Sequence, residues 1–133
     1  GTFNGHFIGS LAGIATLKKL KSREKEIYGY LDELGARMET GIASIFSAKG
    51  VPLTIARQGS VFTTYFMDKE PENWNDIAKN HDSSFDINFR KKLINAGVYV
   101  VPMSAKQYSV SFAHTKKDID TSLEIIEKVV KEL

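Results

Sequence analysis

The chain has 133 residues, 42% of them hydrophobic and 26% charged, with a formal net charge of +2, the length of one domain and the composition of an ordinary globular protein. It has no cysteine, which excludes a disulfide framework, a thiolate zinc site and a cysteine nucleophile. No apolar run reaches the length of a bilayer, and the first residues lack the basic, apolar, small order of a secretory signal, so a cytoplasmic protein with no membrane partner is expected.

The first segment, from Phe7 to Leu20, carries apolar residues at Phe7, Ile8, Leu11, Ile14, Ala15 and Leu20 with helical spacing. Small residues between them (Gly9, Ser10, Ala12, Gly13) leave room for another backbone. A helix apolar on several sides needs more than one neighbour, so Phe7, Leu11 and Ile14, if separated from such a neighbour, are expected to expose apolar surface that wants a cover. The basic residues Lys18, Lys19, Lys21, Arg23 and Lys25 are interrupted by Glu24 and Glu26 and read as a solvated junction. A second helix is predicted over residues 24–48, with Ser22 as its cap and Gly50 and Pro52 as its stop. Its stripe is Ile27, Leu31, Leu34, Met38, Ile42 and Ile45, while Gly29, Gly35 and Gly41 permit either close packing or a bend.

"VPLTIARQ" and "GSVFTTYFMD" read as two strands joined near Gln58-Gly59. Apolar residues at both parities of the second predict a strand covered on both faces. A polar connection with a helical turn near Trp74 to Lys79 leads to a third long helix over residues 84–96, stopped by Gly97. "VYVVP" and "YSVSFA" predict two more strands. A last helix follows, capped by Thr115 with Asp118 three residues later, its stripe being Ile119, Leu123, Ile126, Val130 and Leu133. The expected order is α-α-β-β-α-β-β-α, an α+β layer: a small, mainly antiparallel sheet with helices on one face.

Glycine-rich nucleotide loops, metalloprotease and serine-hydrolase motifs are absent. His6, His81 and His114 are far apart in sequence and suit hydrogen-bonding or surface roles; no metal site is expected, and Asp and Glu fall on polar helix faces where solvated charge is the default. Gly1-Thr2 before a helix offers a hydroxyl, backbone N–H groups and a helix N-terminus, all suited to a phosphate ester. On the residues alone, Thr2 or Asn4 is a helix cap.

"GTFNGHFIGSLAGIATLKKL" resembles the "GT-x-x-G-[NH]-P-x-x-x-A-A-G-x-A-T-L" segment of class III aminotransferases, and "QGSVFTTYFMD", "FRKKLINAGVYVVP" and "SVSFAHTKKDIDTSLEIIEKVV" follow in the family's order. Together they resemble the carboxy-terminal part of the glutamate-1-semialdehyde aminomutase family, which has the aspartate aminotransferase fold (fold type I). The resemblance implies pyridoxal 5'-phosphate as cofactor and an amino acid or amino aldehyde as substrate. It makes residues 1–22 an inter-domain helix after the phosphate-contact loop and residues 23–133 the carboxy-terminal small domain. It also explains the Gly-Thr opening as the tail of a loop within a longer enzyme.

In that family Gly1 and Thr2 match the cofactor-phosphate contact, made across the interface of a homodimer. The lysine that carries the cofactor, and the aspartate facing its ring nitrogen, belong to a large amino-terminal domain. No catalytic residue is therefore expected here, and the chain alone is expected to be inactive. The substrate side of the cleft falls to Gly59-Ser60 and the Pro102 to Tyr108 loop, with Ser104 and Lys106 as pocket residues. Several relatives carry Phe-Glu where this chain has Ala105-Lys106, and the family's usual proline is Phe7 here. The charge reversal at Lys106 leaves the substrate open. Ser111, His114 and Thr115 match family positions with structural roles. The alternatives are a stand-alone α+β binding or interaction module, or a nucleic-acid binder using Lys18 to Lys25, although the small net charge disfavours nucleic acid as a partner.

Overall fold

The computed structural model describes residues 1–133, in the order α1 (Phe7–Ser22), α2 (Glu24–Lys49), β1 (Thr54–Gln58), β2 (Val61–Tyr65), α3 (Trp74–Asn80), α4 (Ser83–Asn95), β3 (Tyr108–Ser109) and α5 (Lys116–Lys131). The three strands form one antiparallel sheet in the order β1-β2-β3. The α+β architecture matches the expectation and α3 falls on the expected helical turn near Trp74 to Lys79, while the element order differs by one strand lost.

Helix α2 is the spine. Ile27, Leu34, Met38 and Ile42 recur on one side and are buried, together with Phe46, so their burial against α5 and the sheet, rather than helix propensity, holds it in place. It ends at Gly50, whose φ of 71° is the left-handed conformation that closes a helix. It has no side-chain cap at its start: Arg23 occupies that position, and Ser22 instead donates to the Lys19 carbonyl at the end of α1. The expected Ser22 cap is thus corrected, because α1 and α2 follow one another with a single residue between them.

The β1–β2 hairpin pairs Thr54 with Tyr65 through Gln58 with Val61. Phe62 and Thr64 point into the helical layer and are buried, while Val61 is exposed and Thr63 and Tyr65 are half-buried. The sheet is covered on one face by helices, not on both as the apolar residues of β2 suggested. Phe46 sits at the centre of the core with Phe66 and Phe89 at 5.2 Å and Phe85 at 6.4 Å between ring centres, in the tilted and edge-to-face arrangements that add to simple burial. Helix α5 begins with the expected capping box, Thr115 and Asp118 satisfying each other's backbone N–H groups. It buries Ile119, Ile126, Val129 and Val130.

Val98–Pro102 forms no strand, which corrects the expectation for "VYVVP". Val100 is buried between the exposed Tyr99 and Val101, so the inside–outside alternation of a strand is present without the strand. The Val101 carbonyl, however, accepts from Arg90 Nη1 at 3.1 Å rather than from a neighbouring strand. Between this stretch and β3 lies a cleft of about 280 Å³ whose lining includes Phe62 and Ile119.

Helix α1 buries none of its residues. Phe7 is 74% exposed and Ile14 49%, with Leu11 half-exposed, the uncovered apolar surface that the sequence led us to expect. No helix is long and apolar enough to cross a membrane.

Candidate functional site

The loop between α4 and β3 contains Ser104 and Lys106, and its shape is set from below by three buried side chains. Asp86 and Arg90 lie one turn apart on α4, on the side also used by Phe89 and Leu93, and both are completely buried. Arg90 Nε donates to Asp86 Oδ1 at 2.7 Å. The other ends of this pair reach the loop: Asp86 Oδ2 accepts the Ala105 N–H at 2.7 Å, and Arg90 Nη2 donates to the Lys106 carbonyl at 2.7 Å. The guanidinium also stacks 4.5 Å from the Tyr108 ring centre, a cation–π contact strengthened by the absence of water.

His81, at the junction of α3 and α4, is the third member. Its Nδ1 accepts the Phe66 N–H at 3.0 Å. The ring proton therefore belongs on Nε2, which faces Ser104 Oγ at 2.9 Å and Asp86 Oδ2 at 3.3 Å. The Ser104 hydroxyl, expected at the substrate pocket, is thus engaged inward. Lys106 is exposed and its ammonium forms no ion pair or hydrogen bond, although its carbonyl is held. Ala105, between them, is the single non-glycine residue with positive φ, at 52°, a conformation that an L-residue adopts only under constraint.

Tyr108 closes the side of this network. Its ring stacks on Phe62 at 5.0 Å, and its hydroxyl is turned toward Thr64 without reaching hydrogen-bond geometry, so both hydroxyls are buried without a partner. Burial pushes its pKa up to about 12, opposed in part by the Arg90 charge. The β1–β2 turn is fixed separately. Arg57 donates to Asp32 and Glu39 at 2.7 Å and to the Gly59 carbonyl at 2.8 Å, and the two carboxylates raise its pKa.

At the other end of the chain, residues 1–5 form a turn in which the Asn4 N–H donates to the Gly1 carbonyl. Neither Thr2 nor Asn4 caps α1; His6 does, its Nδ1 accepting the Gly9 N–H at 3.2 Å. The Thr2 hydroxyl and the N–H groups of Thr2, Phe3, Gly5, Phe7 and Ile8 are claimed by nothing in the chain. The first turn of α1 contains no acidic residue. This donor set fits a phosphate group. No hydrogen bond links residues 1–5 to the 102–108 loop, so this chain does not itself join the phosphate candidates Gly1 and Thr2 to the pocket candidates Ser104 and Lys106. No three metal-ligating side chains cluster anywhere.

Sequence reasoning missed Asp86 and Arg90, having assigned acidic residues to solvated faces. The signal was present: an Asp and an Arg four apart, each directly following a phenylalanine of the buried stripe (Phe85-Asp86, Phe89-Arg90). Both therefore lie beside the apolar side of the helix.

No family model matches the chain. It is 36% identical over 133 residues to glutamate-1-semialdehyde 2,1-aminomutase 2 of Bacillus pumilus, covering all of this chain and 30% of that protein. The corresponding values for glutamate-1-semialdehyde 2,1-aminomutase of Aquifex aeolicus are 35% over 133 residues, all of this chain and 31% of that protein. Among solved structures, an omega-transaminase from Sphaerobacter thermophilus overlays with a TM-score of 0.77 at 21% identity, over 98% of this chain and 29% of that one. A glutamate-1-semialdehyde-aminomutase from Pseudomonas aeruginosa PAO1, in complex with PMP, gives 0.74 at 19% identity, over 82% and 24%. The chain spans about 30% of the length of the curated relatives it matches.

Proposed function

We propose, for a chain that is a relative of the carboxy-terminal part of the glutamate-1-semialdehyde 2,1-aminomutases, that it serves as the carboxy-terminal part of a pyridoxal-phosphate enzyme moving an amino group on an amino acid or amino aldehyde. The observation that carries this is identity of 36% sustained over every residue of the chain, supported by the shared fold. In this role residues 1–22 are the inter-domain helix and residues 23–133 the small domain that closes the substrate side of the cleft. Gly1 and Thr2 hold the cofactor phosphate by the unclaimed hydroxyl and N–H groups, in the active site of the other subunit of a cytoplasmic homodimer. Ser104 and Lys106 border the substrate, Lys106 by its free ammonium and Ser104 by fixing the turn.

When bound, pyridoxal phosphate supplies the electron sink that makes amino-group transfer feasible. The chain's own residues bind, orient and cover. The lysine that carries the cofactor comes from the large amino-terminal domain, so the uncovered apolar side of α1 is where that domain seats. The full-length gene product purified with pyridoxal phosphate is expected to be yellow, and the 133-residue chain alone colourless under the same conditions. Equal colour in both, or colour in neither, overturns the proposal.

A further inference from the structure

Ala105 sits in a left-handed conformation on a loop that has no strand ladder to impose it. The backbone is instead gripped on both sides of it: the Ala105 N–H by Asp86 Oδ2 and, one peptide group further on, the Lys106 carbonyl by Arg90 Nη2, each at 2.7 Å. Ser104 is tied to His81 and the Val101 carbonyl to Arg90. Four points within six residues are thus fixed by three side chains that see no solvent.

Burying a carboxylate and a guanidinium costs more than well-packed apolar residues of the same volume would. A pair placed only for stability has little reason to be there, whereas a pair that holds a strained turn has one. What the turn presents is Lys106. Its carbonyl is held, its side chain is exposed, and its ammonium is free to meet an anion from outside the chain. An ammonium on a fixed stem has less freedom to lose on meeting an anion than one on a mobile loop.

We infer that Asp86 and Arg90 are positioning residues, which lock the Ser104–Lys106 turn so that the Lys106 ammonium meets an anionic group on the substrate, remote from the amino group that moves. The inference rests on the function proposed above, which places this loop at the cleft. It makes Lys106 the residue that distinguishes anionic amino compounds from neutral ones.

The test uses the full-length protein with pyridoxal phosphate and two amino donors of equal length, one an ω-amino acid and the other the corresponding amino alcohol, with kcat and KM measured separately. Lys106→Gln is expected to raise KM for the anionic donor roughly tenfold or more, the scale of one charge-assisted hydrogen bond, with kcat and the neutral donor little changed. Asp86→Asn keeps the volume but weakens the grip on Ala105, and is expected to erase the same preference. Ala105→Gly added to it restores much of the preference, since glycine adopts positive φ without a steric penalty. Ala105→Val disfavours the left-handed turn without touching the buried pair, and carries the positioning test if Asp86→Asn does not fold. An unchanged preference in Lys106→Gln, or a preference retained in Ala105→Val, overturns the inference while leaving amino transfer intact. A full-length protein that transfers no amino group from any donor overturns the function proposed and the inference with it.

Discussion

Three glycines of α2 make opposite demands on the same substitution. A Cβ built on Gly35 would lie 2.1 Å from the Gly59 carbonyl oxygen and 3.1 Å from Ser60 Cα; at Gly41 it would meet the Leu123 methyls at 2.6 Å; at Gly29 nothing lies within 4 Å. Replacing a helical glycine with alanine gains about 0.8–1 kcal/mol of propensity, and Gly29→Ala should show that gain unopposed. At Gly35 the obstacle is backbone, and Arg57 already holds the Gly59 carbonyl at 2.8 Å, so relief requires moving the whole β1–β2 turn. Overpacking of this kind costs about 1–3 kcal/mol, at times more, which outweighs the propensity gain. Gly41→Ala should fall between the two, because Leu123 is a flexible side chain that has room to change rotamer. With a melting entropy of about 0.28 kcal/mol/K for a chain of this length, each kcal/mol moves Tm by about 4 °C. Thermal denaturation followed by circular dichroism should therefore rank Gly29→Ala above the parent protein, then Gly41→Ala, then Gly35→Ala several degrees lower. A Gly35→Ala variant as stable as Gly29→Ala would refute the close seating of the hairpin on α2.

Further outcomes follow from Tyr108 and from the cap of α5. Tyr108→Phe removes a buried hydroxyl without a partner while keeping the ring on Phe62 and over Arg90, so urea denaturation at pH 7 should show stability unchanged or up to about 1 kcal/mol higher. In the parent, the unfolded phenol titrates near pH 10 and the folded one at about 12. The unfolded state loses its proton first, so stability falls as pH rises through that window, and the variant should lack this fall. Thr115→Ala breaks the cap of α5 and should cost about 1 kcal/mol at pH 7 by the same denaturation. Its partner Asp118 has its pKa lowered by the Thr115 backbone and hydroxyl. The contribution of that carboxylate is present above the unfolded value near 4 and disappears as pH falls through the folded value. The parent and Asp118→Asn should therefore converge in stability at low pH and separate at neutral pH.

The helices and the hairpin were legible because their signals are local. The apolar stripe of α2, the Gly50 stop, the Thr115–Asp118 box and the parity of β2 each depend on residues within one or two turns of each other. Two misreadings came from outside that range. The cover over β2 depends on which elements reach the sheet from afar, and residue type at Val61 and Tyr65 does not report it. The "VYVVP" stretch has the composition and alternation of a strand but lacks a strand to pair with, because Arg90 takes the Val101 carbonyl. The candidate site was legible only as a loop: the family resemblance pointed to Ser104 and Lys106, whereas Asp86 beneath them fell under the default of solvated charge on helix faces and Arg90 drew no reading.

The missing strand and the buried ion pair have one cause. The backbone groups between Val101 and Lys106 that turn inward need partners from the protein. A fourth strand would satisfy them in a ladder, at regular spacing and with φ negative throughout. Side chains from α4 satisfy them atom by atom instead, which permits the left-handed turn at Ala105 and lets Lys106 face outward while its carbonyl faces in. A ladder is held by many equivalent bonds, so losing one shifts it little. This loop hangs on three side chains, Asp86 and Arg90 of α4 and His81 before it, so a single substitution at Asp86 should alter its shape while the α2–α5 core, held by Leu34, Met38, Ile126 and Val130, stays folded. Shape at the loop and stability of the fold are therefore separable here.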